Sequence, residues 1–379
     1  MVVPHLISVA VASVISEAGV TFHCVGACQT PVYVTGLGGN AMMGGHMYPG
    51  VDIPSDLVAY RWFLDRANGG DVLVLTADEP PCDIYNPFLY NMSGTTRPNS
   101  VTTACFTSRD GAASTTLHAL LARASGLFMT GGDQQKYESF WKGTPVAAAL
   151  SSQSSGAVVG GSSAGLAVQG QFLFDAAHGG VSSEDALKYP TDSEVSLARA
   201  FLHVDDPWMR GVLTDTHFKQ RDRMGRLVTF VARIAQAKWA HGDHQPGGQA
   251  GVLGVGISEH TALLVDPSTG TAAFAGVGPV HFVASTNRTP SVLKPGQPLS
   301  WDAPGVDVWR WDPPPSSWPA LEGPTEGSLS RRGMNGLADS AAVWMFKEWT
   351  MRPKASGTRY QLRVKSGVLS STQPGGGIY

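Results

Sequence analysis

Ala157-Val158-Val159, running without a break into Gly160-Gly161-Ser162-Ser163-Ala164-Gly165, is the stretch on which the fold turns. The apolar triplet reads as a buried strand. Gly161 to Gly165 fits G-x-S-x-G, and a helical stretch follows. A serine needs that context to sit on a tight strand-to-helix turn with its hydroxyl pushed clear of the backbone. Flanking glycines avoid the clashes of such a turn. The serine then lies at the positive end of a helix, with the Ala164 amide pointing at a developing oxyanion. A bare motif of this kind is more often a Gly/Ser-rich loop without catalytic meaning. The strand before it and the helix after it bring the two readings level.

Outward from this stretch, strands and helices alternate. Pro31 to Gly36 is a short β-rich run ending in a Gly-rich loop, Gly36 to Gly45. Ser55 is a good N-cap for a helix carrying Leu57, Val58, Trp62, Phe63 and Leu64 at helical spacing. Val72 to Leu75 and Val101 to Phe106 read as strands. Ala112 to Ala124 is helical, Gly126 to Thr130 is a strand reaching Gly131-Gly132-Asp133, and Tyr137 to Trp141 begins another helix. This alternation predicts an α/β fold with a mostly parallel sheet covered on both faces, binding its ligand beyond the carboxyl ends of the strands. After about residue 270 the pattern becomes Gly-punctuated and β-rich. Ala272 to Val283 suggests hairpin strands, Ala338 to Thr350 a helix and Ser370 to Gly377 a flexible tail. Three parts are expected: an N-terminal segment (1–30), a catalytic domain (31–270) and a C-terminal extension (271–379).

The chain has 379 residues, 42% hydrophobic, which is ample for a large core. Its net charge of -3 argues against non-specific nucleic-acid binding. Leu6 to Ile15 is a short apolar run without a preceding Lys or Arg, an incomplete match to a secretion signal. No other stretch is long and apolar enough to span a membrane. A surface poor in charge slightly favours an exported protein. Cys24, Cys28, Cys82 and Cys105 permit two disulfides in an oxidising compartment or four buried thiols.

A serine nucleophile needs a base, and a base needs an orienting acid. His217 lies in Thr214-Asp215-Thr216-His217-Phe218, followed by Arg221, Arg223 and Arg226. The arginines suit a carboxylate-bearing substrate through guanidinium forks, although a solvated helix face is the commoner fate of such a run. Glu259, in Gly256-Ile257-Ser258-Glu259-His260-Thr261, stands before an apolar strand and is placed to orient His217.

Gly131-Gly132-Asp133-Gln134, the segment around Ser163, Asp215-Thr216-His217-Phe218 with its arginines, and the segment around Glu259 occur together in the order seen in cyanophycinases and peptidase E-like serine peptidases. The chain resembles that family over roughly residues 31 to 270. The resemblance implies a three-layer α/β/α sandwich related to class I glutamine amidotransferases, a homodimer, and a Ser163-His217-Glu259 triad in that chain order. It implies an oxyanion hole from the amides of Gly132 and Ala164. It implies a pocket lined by Gln134, Asp215, Arg221, Arg223 and Arg226, with no metal or cofactor required. The implied substrate is an aspartyl-linked peptide, cyanophycin cleaved to β-Asp-Arg dipeptides being one case. Three positions depart from the family pattern: Thr216 for Gln, Ser258 for Asp and Leu166 for Ala. The rival readings are a carboxylesterase of the nucleophile-elbow type, whose chain order would be Ser, acid, His, and a non-catalytic binding protein of the same fold.

Lesser signals are set aside on chemistry. His241 and His244 have no third metal ligand near in sequence. Asn91 and Asn287 open glycosylation sequons that arise often by chance. Trp309, Trp311 and Trp318 are read as packing residues. The loop Gly36 to Gly45 lacks the Gly-Lys-Ser/Thr of a phosphate-binding loop.

Overall fold

The structure is a computed structural model that describes residues 13–50, 53–77, 82–152, 156–199, 202, 209–239, 251–285, 289–312, 344–347, 350–353 and 358–379. Among these, two mixed sheets form. The first runs Ser13–Glu17 (β1), Val20–Gly26 (β2), Ser100–Phe106 (β5), Asp71–Thr76 (β4), Ala124–Met129 (β6), Val158–Ser162 (β7), Asn40–Met43 (β3), Thr261–Asp266 (β12), Thr271–Gly276 (β13), Trp344–Lys347 (β16) and Thr350–Pro353 (β17). The second runs Val368–Ser371 (β19), Thr358–Lys365 (β18), Trp301–Trp311 (β15), Val280–Ser285 (β14), Leu253–Ile257 (β11), Val212–Asp215 (β10), Phe172–Phe174 (β8) and Leu197–Arg199 (β9).

The helices are Pro54–Arg66 (α1), Tyr85–Tyr90 (α2), Thr115–Leu121 (α3), Gln134–Trp141 (α4), Pro145–Ser152 (α5), Ala164–Ala167 (α6), Ser183–Lys188 (α7) and Met224–Gln236 (α8). Side-chain alternation along the strands builds the layers. In β4, Val72 and Val74 face α1 with Tyr60, Phe63 and Phe128, while Leu73 and Leu75 face α3 to α5 with Leu117, Leu121 and Trp141. In β12, Ala262 and Leu264 join the α1 side, while Leu263 and Val265 meet Val255, Ile257 and Phe282 of the second sheet. That sheet's far face is closed by α8 through Leu227, Phe230 and Val231. Each buried Val, Leu, Ile or Phe among them contributes roughly 1.5–3 kcal/mol relative to exposure.

The α/β class holds, but a single, mostly parallel sheet does not. Among the described residues, parallel pairing is confined to β5-β4-β6-β7-β3 and to β8-β10-β11. After β7 the chain leaves the first sheet and starts a second parallel set, with α8 as the crossover from β10 to β11. It then returns, and β12 lies antiparallel beside β3. Short loops make hairpins of β12 with β13 and of β18 with β19, and such connections allow only antiparallel pairing.

Several local expectations move. The first parallel strand is Asn40–Met43, inside the segment read as a glycine loop, and Pro31 to Gly39 is irregular. Ile53, not Ser55, occupies the cap position of α1, because Pro54 needs no N–H there. Ala112 to Ala124 divides into a 3₁₀ turn (Arg109–Ala113), α3 and the start of β6. Strands β13 and β14 do not pair as a hairpin: β13 joins the first sheet and β14 the second. In the segment read as a helix, 338–343 lies outside the described residues, while 344–347 and residue 350 are strand. The expected tail carries part of β19, and Tyr379 beyond it packs on Phe218 and His281. His241, His244 and Trp318 lie outside the described residues. Trp311 stacks on Phe274, ring centroids 4.4 Å apart.

All four cysteines pair, Cys24 with Cys28 and Cys82 with Cys105. No helix among the described residues is long and apolar enough to cross a membrane.

Candidate active site

The carboxyl ends of β3, β6 and β7 in the first sheet and of β10 and β11 in the second point into one junction. Met43, at the end of β3, accepts a hydrogen bond from Ser163 N–H at 3.1 Å. Gly44 C=O accepts from His217 N–H at 2.7 Å, and Gly45 C=O from His260 N–H at 3.0 Å. The strip 43–45 thus ties together the loops after β7, β10 and β11, which carry Ser163, His217 and Glu259.

Ser163 has φ 54 and ψ -114, the strained conformation of a sharp strand-to-helix turn. Such a conformation costs of order 1–3 kcal/mol and persists only where its surroundings enforce it. Gly165 permits it, since a Cβ there would lie 2.1 Å from the Met129 carbonyl oxygen. Helix α6, which follows, is only four residues long (Ala164–Ala167). Its aligned dipole is therefore small, and individual amides matter more than the helix end. His46, His217 and His260 also hold positive φ, at 56, 46 and 51. Backbone strain therefore gathers at this junction.

The side chains form a chain of hydrogen bonds. Ser163 Oγ lies 2.7 Å from His217 Nε2, and His217 Nδ1 lies 2.7 Å from Glu259 Oε1. A carboxylate only accepts, so Nδ1 carries the proton and Nε2 is left to accept from the serine hydroxyl. Burial pushes the His217 imidazole down to about 4, against an opposing pull from the Glu259 hydrogen bond. It is therefore neutral near pH 7 and able to take a proton. The Glu259 backbone N–H donates to Gln220 Oε1 at 3.0 Å.

The other predicted residues are placed as follows. Gly131 lies beside the nucleophile, where a Cβ would be 3.5 Å from Ser163 Cβ, and the next residue, Gly132, has φ 119. Asp133 caps α4 through Gln135 N–H, and Gln134 Nε2 donates to Phe174 C=O at 3.4 Å. Arg221 is half-exposed, with Nε 4.0 Å from Glu259 Oε1.

Asp215 and Arg226 turn inward instead. Arg226 Nε donates to Asp215 Oδ2 at 2.8 Å, and the guanidinium lies over Phe174 and Phe230. Burial alone would raise the Asp215 carboxyl, but Arg226, then Arg223, and hydrogen bonds hold it below its ordinary value. Arg223 Nη1 donates to Thr216 C=O at 2.9 Å and Thr216 Oγ1 at 3.0 Å. Asp215, Arg223 and Arg226 are thus brought together with one another, beneath the loop that carries His217. Ser258, buried, donates to Pro279 C=O at 2.7 Å.

His46, Tyr48, the Gly44-Gly45 strip and the His260–Asp56 pair (3.0 Å) were not singled out from sequence. The Gly-Gly-His run directly after the buried strand β3 is the available signal, and reading Gly36 to Gly45 as one loop hides it.

No family model matches the chain. Among curated proteins, the cyanophycinase of Synechococcus elongatus is 34% identical over 167 residues, 44% of this chain and 43% of that protein. The cyanophycinase of Trichormus variabilis is 32% identical over 183 residues, 48% of this chain and 52% of that protein. The chain spans about half the length of the curated relatives it matches. Among solved structures, a peptidase from an acI-B1 Actinobacterium overlaps at TM-score 0.45 with 15% identity, covering 66% of this chain and 93% of that one. A putative peptidase E protein from Listeria monocytogenes EGD-e overlaps at 0.37 with 13% identity, covering 64% and 99%. Overlaps that loose decide nothing further.

Proposed function

We propose that this chain, related in sequence to the cyanophycinases, is a serine-type peptidase acting on aspartyl-linked peptides by an acyl-enzyme route. One observation carries the reading: the unbroken Ser163–His217–Glu259 relay at 2.7 Å and 2.7 Å. In it, Ser163 Oγ attacks the scissile carbonyl while His217 Nε2 takes the hydroxyl proton. Glu259 holds the ring in the productive tautomer and balances the imidazolium that forms. The amides of Gly132 and Ala164 receive the oxyanion. His217 then returns the proton to the leaving amine, and water, activated by the same imidazole, releases the acyl group from Ser163.

The substrate reading is an exo- or isopeptidase specificity, with cyanophycin cleavage to β-Asp-Arg dipeptides included. Arg221, half-exposed beside the relay, is assigned to the substrate carboxylate, and Gln134 to the pocket wall. Asp215, Arg223 and Arg226 are assigned to holding the His217 loop. Residues 31–270 are read as the catalytic unit, with the parallel heart as an α/β/α sandwich related to class I glutamine amidotransferases. Residues 271–379 are read as an extension, and the active form as a homodimer.

The test is direct. Purified chain is incubated with cyanophycin and with β-Asp and α-Asp dipeptides, and products are followed by chromatography. Release of Asp-containing products, absent with Ser163→Ala, is expected. Hydrolysis of simple esters, with every aspartyl peptide left intact, would turn the assignment to an esterase.

A further inference from the structure

The proposed relay gives no task to His46, whose imidazole stands beside the triad acid. His46 Nε2 lies 3.3 Å from Glu259 Oε1, the same oxygen that receives the His217 Nδ1 proton. The His46 and His217 rings stand edge to face, 5.5 Å between centroids. His46 Nδ1 pairs with the Tyr48 hydroxyl at 2.6 Å. Two imidazoles and a carboxylate thus bring ligand-type atoms within 4.8 Å of one another. The His46 side chain is 43% exposed, so the group has a path to solvent.

We infer that His46, His217 and Glu259 form a binding site for a divalent transition metal of the zinc class, and that filling it switches the serine off. The inhibitory half rests on the proposed role of His217; the binding half rests on the ligand set alone. Zinc takes imidazole nitrogen and carboxylate oxygen at about 2.0–2.2 Å, so neighbouring ligands in a tetrahedral site lie about 3.3 Å apart. The His46–Glu259 separation already has that value. The His217–Glu259 separation needs to open by about half an ångström, within reach of a carboxylate rotation. Water completes the fourth position.

The tautomers explain the switch. In the relay, the single proton of the neutral His217 ring sits on Nδ1. A metal at Nδ1 requires that proton to move to Nε2, with none lost or gained overall. Nε2 then faces Ser163 as a donor and no longer accepts its hydroxyl proton. Tyr48 serves either state of His46. Its hydroxyl accepts from Nδ1–H when Nε2 binds metal, and donates to Nδ1 when Nε2 carries the proton toward Glu259. Such an orienting partner is what metal-binding histidines need. Arg221 opposes the ion, with Nε 4.0 Å from Glu259, but its side chain is 51% exposed and has water to turn into.

The chain, stripped of metal by a chelator, is titrated with Co²⁺ and Zn²⁺ as wild type, Ser163→Ala and His46→Gln. Visible Co²⁺ absorption and equilibrium dialysis report binding. One ion per chain is expected for wild type and Ser163→Ala, with affinity weakened at least about ten-fold in His46→Gln. No binding by wild type, or equal binding by His46→Gln, overturns the site. In parallel, Zn²⁺ inhibits wild-type hydrolysis reversibly, and His46→Gln retains hydrolysis but resists Zn²⁺ by the same factor. Equal inhibition of both overturns the switch. If no form hydrolyses any peptide or ester, the catalytic reading fails while the titration still decides the metal site.

Discussion

Gly45 lies directly against the His217 ring: a Cβ on Gly45 would come within 2.3 Å of His217 Cε1 and 2.6 Å of Nε2. The residue also has φ 120, which a side chain rarely adopts. The imidazole therefore has its position because residue 45 has no side chain. Gly45→Ala is expected to push the ring off Ser163 and lower kcat by about 100-fold, the usual effect of misplacing a reacting group by an ångström. Steady-state kinetics beside a circular dichroism spectrum checks this. Unchanged kcat in a folded Gly45→Ala would show that the ring's placement is not set by this contact.

The acid limb of the pH profile follows from burial of His217. Proton uptake needs the neutral ring. An ordinary histidine would lose half its neutral form near 6.5. Desolvation lowers this one to about 4. The profile of kcat/KM, which reports the free enzyme, should therefore stay flat from pH 7 to about 5 and fall below that. A midpoint near 6.5 would contradict the account.

His281 provides a separate stability switch. It is fully buried in β14, and neither ring nitrogen has a hydrogen-bond partner among the described residues. Burial, with smaller pushes from Arg310 and Lys219, drives the imidazole down to about 3. The unfolded chain takes up this proton near 6.5 and the folded chain only near 3. Its contribution to stability is therefore complete above 6.5 and is lost as the pH falls through that window. His281→Phe should leave the pH 7 melting temperature within a few degrees and raise it at pH 4 to 5. An equal change at both pH values would remove His281 from the acid response.

Asp215 and Arg226 form a buried pair whose members depend on each other. Asp215→Asn or Arg226→Met alone is expected to cost about 3–5 kcal/mol, since each leaves an uncompensated buried group. The double variant Asp215→Leu with Arg226→Met should recover much of that loss. Urea denaturation measures all three. Singles that cost less than about 1 kcal/mol would mean the pair is solvated.

Much of the site was legible because its signals are local. Gly161-Ser162-Ser163-Ala164-Gly165 announces a sharp turn wherever it follows a buried strand, and Val158 to Ser162 is that strand. Both parallel sets aim their carboxyl ends at one junction, so the candidate residues meet there although their strands belong to two sheets rather than one. What sequence hid was non-local. Whether β12 extends a parallel sheet or returns antiparallel beside β3 depends on packing across the whole core. The inward turn of Arg226 depends on Asp215, Phe174 and Phe230 surrounding it. A run of arginines reads alike whether it faces water, substrate or a buried carboxylate. His46 was missed because its partner Glu259 lies 213 positions away in the chain.

The central claim is that Ser163 is a nucleophile made reactive by His217 and Glu259. Wild type, His217→Ala and Glu259→Gln are treated with a fluorophosphonate, digested and read by mass spectrometry. The account predicts a single adduct on the peptide containing Ser163 in wild type, slowed by orders of magnitude in His217→Ala and clearly slowed in Glu259→Gln. A folded wild type that takes no label at Ser163, or takes it equally fast without His217, would contradict it.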